Sequence, residues 1–186
     1  MNRIIAGRFK GRRLKVPSGR DVRPTTDRMR ERVFSILQHG PYSDMQGARV
    51  ADLFAGTGAL GFEALSRGAA SITFVEKSPA SIACLRENIR ALGADKDATI
   101  LQTSARSLPA ATAPYDFIFM DPPYHKSLVE PTLESLISAG WIAPDGVIIC
   151  ELERDNVLSL PATLELVNER SQGKQRTIFL SLQQAN

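Results

Sequence analysis

Residues 50–61 read Val-Ala-Asp-Leu-Phe-Ala-Gly-Thr-Gly-Ala-Leu-Gly. An apolar run leading into glycines spaced G-x-G-x-x-G fits one local arrangement: a strand, a tight turn, and a helix folded back on the strand. Glu76, twenty residues after Gly56, closes the next strand-like run. A strand, helix and strand in that order form a parallel pair, and parallel sheets are stable when helices cover both faces.

The sequence beyond residue 48 keeps this alternation. Strands are predicted at Arg49–Phe54, Ser71–Glu76, Ala98–Gln102, Asp116–Met120 and Val147–Glu151, with helices at Gly58–Arg67, Pro79–Leu92 and Leu128–Ser138. The end differs: Leu164–Glu169 and Arg176–Leu182 flank Ser171-Gln172-Gly173-Lys174, which signals a hairpin without a crossover helix. The expectation is an α/β sheet, mostly parallel, that finishes with an antiparallel pair.

Composition narrows the function classes. The chain has 186 residues, 43% hydrophobic and 23% charged, which suits one globular domain with a core of its own. Cys84 and Cys150 are the only cysteines, and His39 and His125 the only histidines. That excludes a disulfide framework and a cysteine-built zinc site, and no metal is expected. No apolar run approaches the roughly 18 residues of a membrane span. Met1–Arg13 is too basic for a secretory leader, so a cytoplasmic protein without membrane contact is expected.

Net charge is +3, but residues 1–32 carry eleven Lys or Arg against Asp21, Asp27 and Glu31. The basic excess of the chain therefore sits in its first sixth, as expected of a segment that meets a polyanion. Arg3–Ala6 and Arg13–Val16 read as the limbs of a hairpin around Gly7 and Gly11, and Thr26 as the N-cap of a helix reaching about Gln38. Two regions are expected: 1–40, a basic hairpin and helix that meet nucleic acid, and 41–186, the sheet domain. Arg3, Arg8, Lys10, Arg12, Arg13, Lys15, Arg20 and Arg23 are the candidate phosphate contacts. Alternate side chains of a hairpin face opposite ways, so about four to six of them should reach the backbone. Because the glycine loop lies in the sheet, removing residues 1–20 is expected to leave the pocket folded.

The glycine loop suits a ligand that bears adenosine, and an acid at Glu76 can hold ribose hydroxyls. Asp52 separates the two common ligands. A carboxylate just before the loop repels the pyrophosphate of a dinucleotide, whereas S-adenosylmethionine (SAM) carries a sulfonium and an ammonium and no phosphate. The alternative role of Asp52 is a structural cap for the following turn. The string Asp52-x-Phe54-x-Gly56-x-Gly58 is similar to the first motif of class I SAM-dependent methyltransferases. On that resemblance Asp52, Phe54, Ala55, Gly56, Thr57, Gly58, Glu76, Lys77 and Asp121 are cofactor candidates, with Ser104 and Ala105 at the adenine.

Tyr115–Met120 runs into Asp121-Pro122-Pro123-Tyr124. Two prolines fix φ and restrict their predecessors, so the Asp121 carboxylate and the Pro122 carbonyl are held rigidly, with a flat tyrosine beside them. Two acceptors and an aromatic plate suit a planar amine, either the exocyclic NH2 of a nucleobase or a side-chain amide. Asp121, Pro122, Pro123 and Tyr124 are the catalytic candidates.

With these motifs, Arg3-Ile4-Ile5-Ala6-Gly7, Gly11-Arg12-Arg13-Leu14 and Arg23-Pro24-Thr25 leading into Asp27-Arg28-Met29-Arg30-Glu31 resemble the opening of the bacterial RsmD-type family of small-subunit ribosomal RNA guanine-N2 methyltransferases. The resemblance spans essentially the whole chain. It implies a Rossmann-like class I fold with seven strands and a reversed last strand. It also implies SAM as donor, the N2 amine of one guanine in 16S rRNA as acceptor, and 16S rRNA or the assembling small subunit as partner. A monomer is expected, without DNA. Protein glutamine N5-methyltransferases use an N-P-P-Y variant, against which Asp121 and the basic segment argue. DNA adenine methyltransferases share D-P-P-Y but usually add a target-recognition domain. A SAM-sensing or RNA-binding module with a relict pocket is the non-enzymatic alternative.

Overall fold

The computed structural model describes residues 3–17, 27–123 and 127–184. The elements follow in the order α1 (Asp27–His39), β1 (Arg49–Leu53), α2 (Ala59–Ser66), β2 (Ser71–Glu76), α3 (Pro79–Leu92), β3 (Ala98–Gln102), β4 (Tyr115–Met120), α4 (Val129–Ser138), β5 (Ile142–Glu153), β6 (Leu164–Gln172) and β7 (Gln175–Leu182). The strands form one seven-stranded sheet, ordered β3-β2-β1-β4-β5-β7-β6. All pairs from β3 to β5 are parallel, while β7 runs antiparallel to both β5 and β6. The reversed strand is thus the last in sequence but an interior one in space. It slots between β5 and β6, and β6 takes the edge.

The sheet separates two cores, because successive strand residues point to opposite faces. Val50, Phe74, Phe117, Val147 and Phe179 pack under α1, α2 and α3, and Phe34 of α1 meets Phe119 at 5.4 Å between ring centroids. Ala51, Val75, Ile118, Ile148 and Leu180 pack on the other side with α4 and Trp141. Trp141 stacks near Tyr115 at 4.8 Å and donates its indole N–H to the Pro109 carbonyl, which closes the loop before β4. No helix among the described residues is long and apolar enough to cross a membrane.

The expected strands and helices are present with shifts at their ends. The largest is β5, which begins at Ile142 and passes Pro144 through an irregular register beside Tyr115. A proline fits there because the interruption removes the need for its missing N–H. The expected cap Thr26 lies outside the described residues.

The basic hairpin closes on a single antiparallel bridge, Arg3 with Arg13, where two paired limbs were expected. Ile4 also bonds across it, its N–H to the Arg12 carbonyl at 2.9 Å and its carbonyl to the Gly11 N–H at 2.8 Å, while other backbone groups go to the helices. The N–H groups of Ile5 and Ala6 donate to the Glu63 carboxylate of α2 at 2.8 and 3.1 Å, and the Lys15 peptide pairs with the Asn88 carboxamide of α3. Ile4 and Leu14 lie in the first core. A Cβ on Gly7 would fall 1.8 Å from the Ser66 carbonyl oxygen, so this backbone lies directly on the end of α2. The expectation that the pocket stays folded without residues 1–20 thus concerns a segment that is packed into the first core. Their absence would uncover Ile4 and Leu14's neighbours and take two donors from a fully buried carboxylate.

Candidate active site

β1 ends on Asp52-Leu53, and the chain then turns through residues that need unusual backbone angles. Phe54, Gly56 and Gly58 have φ of 60°, 56° and 77°. A left-handed Phe costs on the order of 1 kcal/mol or more, strain of the kind that collects at ligand sites. The glycines play different parts. A Cβ on Gly56 would meet only the Phe54 carbonyl oxygen at 3.8 Å, leaving the backbone open to a ligand. A Cβ on Gly61 would lie 2.5 Å from Phe74, so this glycine lets α2 settle on β2.

Asp52 is 2% exposed, and its Oδ2 accepts the Gly61 N–H at 2.9 Å. Gly58 is the N-cap residue of α2 and has no side chain to offer. Asp52 supplies the missing cap from the neighbouring strand, taking one of the helix's orphan donors. Both readings of this residue thus meet in one carboxylate: it caps the turn and stands before the loop. Burial raises its pKa well above the usual carboxylate range; the Gly61 bond opposes that, and the charges of Asp121 and Glu76 add to it.

Glu76 ends β2, and its Oε2 accepts the Gly56 N–H at 3.0 Å while Oε1 accepts from Lys77 and Ser78, each at 2.8 Å. It pins the glycine loop to the adjacent strand. Lys77 itself is exposed. Ala55 is buried, and its N–H reaches the Val75 carbonyl at 3.2 Å. Asp121 directly follows β4, whose partner on one side is β1. Glu76, Asp52 and Asp121 therefore stand on three neighbouring strands at their carboxyl ends, on one face of the sheet. Pro122 is buried and Pro123 exposed; Tyr124 and His125 lie outside the described residues. Ser104 and Ala105 follow the end of β3, with Ala105 buried in the second core and Ser104 half-buried.

A buried carboxylate with a raised pKa, two further carboxylates and an open glycine backbone fit a ligand carrying positive charge. A phosphate would meet three acids there. Among the described residues no group of three or more His, Cys, Asp or Glu is placed to hold a metal ion.

The basic candidates are spread over three helices: Arg3 at the start of α1, Arg8 beyond the end of α2, and Arg12 and Lys15 along α3. Arg3, Arg8 and Lys15 are in ion pairs with Asp27, Asp97 and Glu87, and Arg12 donates to the Ala91 carbonyl. Lys10 and Arg13 are exposed and make no such contact among the described residues; Arg20 and Arg23 lie outside them.

Sequence reasoning passed over two residues that build the site from behind. Asn88 donates to the Thr57 carbonyl at 3.2 Å and the Lys15 carbonyl at 3.1 Å, while its oxygen accepts the Lys15 N–H at 2.8 Å. One carboxamide thus braces the glycine loop against the basic segment. The signal was a polar residue on the apolar stripe of α3, amid Ile82, Leu85, Ile89 and Leu92. Glu63 is fully buried within α2 and accepts from Ile5, Ala6 and Arg67.

Comparison with known proteins supplies the family. A family model described as conserved hypothetical protein 95 matches residues 2–181. The Ribosomal RNA small subunit methyltransferase D of Escherichia coli K12 is 38% identical over 173 residues, covering 92% of this chain and 85% of that one. Its namesake from Haemophilus influenzae is 37% identical over 175 residues, covering 92% and 89%. Among solved structures, the methyltransferase candidate yhhF of Escherichia coli superposes with a TM-score of 0.85 at 34% identity, over 98% of each chain. The likeness runs along nearly the whole length, and the chain belongs to the conserved hypothetical protein 95 family, that of the RsmD-type methyltransferases.

Proposed function

We propose that this chain transfers a methyl group from SAM to the exocyclic N2 of a guanine in 16S rRNA, acting on the rRNA or on the assembling small subunit. The observation that carries the reading is the row Glu76, Asp52, Asp121 at the carboxyl ends of β2, β1 and β4 around the glycine loop. The name of the E. coli and H. influenzae relatives supports an rRNA substrate.

Bound there, SAM would supply an electrophilic methyl on a cationic sulfur. Glu76 would hold the ribose hydroxyls, Asp52 the positive charge, and Ser104 and Ala105 the adenine edge. Phe54, Ala55, Gly56, Thr57, Gly58 and Lys77 would form the rest of the cradle. Asp121 and the Pro122 carbonyl accept the N–H groups of the incoming amine, and Pro123 keeps that turn rigid. A nucleobase amine is a poor nucleophile because its lone pair is delocalised into the ring. Two acceptors favour the pyramidal nitrogen that must form, and Asp121 takes up the proton that N2 releases. Holding the nitrogen in line for attack would contribute on the order of several kcal/mol. Tyr124 would stack on the base, which has to leave its helix to reach Asp121.

The basic segment, residues 1–40, would grip the RNA, with 41–186 as the catalytic unit. The protein would work as a cytoplasmic monomer. Incubation with tritiated SAM and, separately, 16S rRNA, tRNA, DNA and bulk protein tests the reading, with nucleoside chromatography of labelled RNA. N2-methylguanosine in 16S rRNA is the expected product. Label in N6-methyladenine or in protein glutamine, or none at all, would overturn it.

A further inference from the structure

A hollow of about 330 Å³ opens at the edge of the sheet, between α3 and β3. It is lined by Arg86, Ile89, Arg90, Asp95, Ala98 and Ile100. Arg86 and Arg90 are one helical turn apart, so they share a face of α3, and both are exposed. Neither has an ion pair among the described residues. The floor of Ile89, Ala98 and Ile100 is apolar, and it keeps the two guanidinium groups beside a surface that water solvates poorly.

The basic segment borders this hollow and changes its charge. On the adjoining face of α3, Lys15 pairs with Glu87 at 2.6 Å, and Arg12 donates to the carbonyl of Ala91, next after Arg90. Arg8 pairs with Asp97, next before Ala98, at 2.7 Å. The two acids that would oppose an incoming anion are therefore already neutralised from within the chain. Asp95 is left as the one acid of the lining, with Arg86 and Arg90. Each of these is exposed, and none is in an ion pair among the described residues.

We propose that the hollow and its rim form a docking site for RNA backbone, where Arg86 and Arg90 hold phosphates of the strand that carries the reacting nucleotide. The proposal rests on the reading of this chain as an RNA methyltransferase and adds a surface on the catalytic unit to the N-terminal contacts. Its position suits that task. Arg86 is seven residues from Pro79, where α3 starts beside the carboxyl end of β2, a rise of about 10 Å along the helix. A strand lying along α3 spans from the hollow to the carboxyl ends of the strands. Guanidinium forks match phosphate geometry better than single ammonium groups do, and the i, i+4 pair presents two of them to one stretch of backbone.

The test uses the full chain carrying Arg86→Ala with Arg90→Ala, beside Arg86→Lys with Arg90→Lys. Affinity for a 16S rRNA fragment is measured from low to moderate salt, together with steady-state methylation. The slope of log K against log salt should lose about 1.4 in the alanine pair, at roughly 0.7 per single-stranded phosphate, and the lysine pair should regain most of it. The RNA KM should rise at least tenfold, while kcat at saturating RNA and the SAM Kd stay at the parent values. An alanine pair that melts like the parent and keeps its slope and RNA KM overturns the docking site and leaves the methyltransferase reading standing. A parent protein that neither binds nor methylates the RNA overturns both.

Discussion

Asn88 of α3 donates from its side-chain amide to the Thr57 carbonyl inside the glycine loop, at 3.2 Å, while the same carboxamide is paired with the Lys15 peptide. The cofactor loop and the basic N-terminal segment thus lean on one buried side chain. Asn88→Asp keeps the acceptor for the Lys15 N–H but sets a carboxylate against two carbonyls. Loss of the donor should destabilise the fold by roughly 1–3 kcal/mol in urea denaturation. The SAM KM should rise more than kcat falls. A variant with parental SAM KM would show that Thr57 needs no brace.

Asp52 makes cofactor binding depend on pH. Its pKa is raised well above the usual carboxylate range, chiefly by burial. The folded, ligand-free protein therefore binds a proton that the unfolded chain has released above about pH 3.9. Stability should fall as pH rises from there through the raised pKa, because the buried carboxylate must then ionise beside Asp121 and Glu76. SAM affinity should move the other way and increase across the same interval, since a cationic ligand favours the ionised form. Asp52→Asn retains an acceptor for Gly61 and should flatten both profiles, read by calorimetry and thermal melts.

Glu63 fastens the N-terminal segment. Its carboxylate is fully buried and takes N–H groups from Ile5 and Ala6 and the Nε of Arg67, the last at 2.8 Å. Glu63→Ala leaves these donors without their acceptor and should cost about 3–5 kcal/mol, the range for breaking a buried ion pair. The midpoint of melting should drop by roughly 10 °C. RNA affinity should fall with it, as the bridge between Arg3 and Arg13 loses its footing.

Two glycines with similar φ angles should respond differently to the same change. Gly58 and Gly93 have φ of 77° and 64°. A Cβ on Gly58 would lie 2.6 Å from Phe62 and 2.7 Å from Leu85, whereas Gly93 has nothing within 4 Å. Gly93→Ala should cost about 1–2 kcal/mol for its left-handed backbone alone. Gly58→Ala should add about 1–3 kcal/mol of overpacking and also weaken SAM binding. Equal urea midpoints for the two variants would contradict this account.

Asp121→Ala should lower kcat by about a hundredfold or more, the usual effect of removing one preorganised polar group at a reacting centre. SAM affinity should change far less, because Asp52 and Glu76 remain. Rapid-quench methylation of 16S rRNA measures the first and calorimetry the second.

The sequence by itself determined the alternation of strands and helices, because a parallel sheet needs apolar strands and the glycine spacing admits one kind of turn. It also marked Asp52, Glu76 and Asp121, since each stands at or beside the end of a strand-like run and parallel strands bring their carboxyl ends to one side. Tertiary structure decided which of those acids are neighbours, through the order β2-β1-β4 that no local pattern records. It also placed β7 between β5 and β6, where the local hairpin signal said only that two strands pair. The basic segment shows the limit most clearly. Its charges are visible in the sequence, but the acids that pair with them, Asp97 and Glu87, come 89 and 72 positions later. Local periodicity reports what a residue does within its own turn or strand. Partners that distant in the chain are chosen only when burial of Ile4 and Leu14 draws the segment onto α2 and α3.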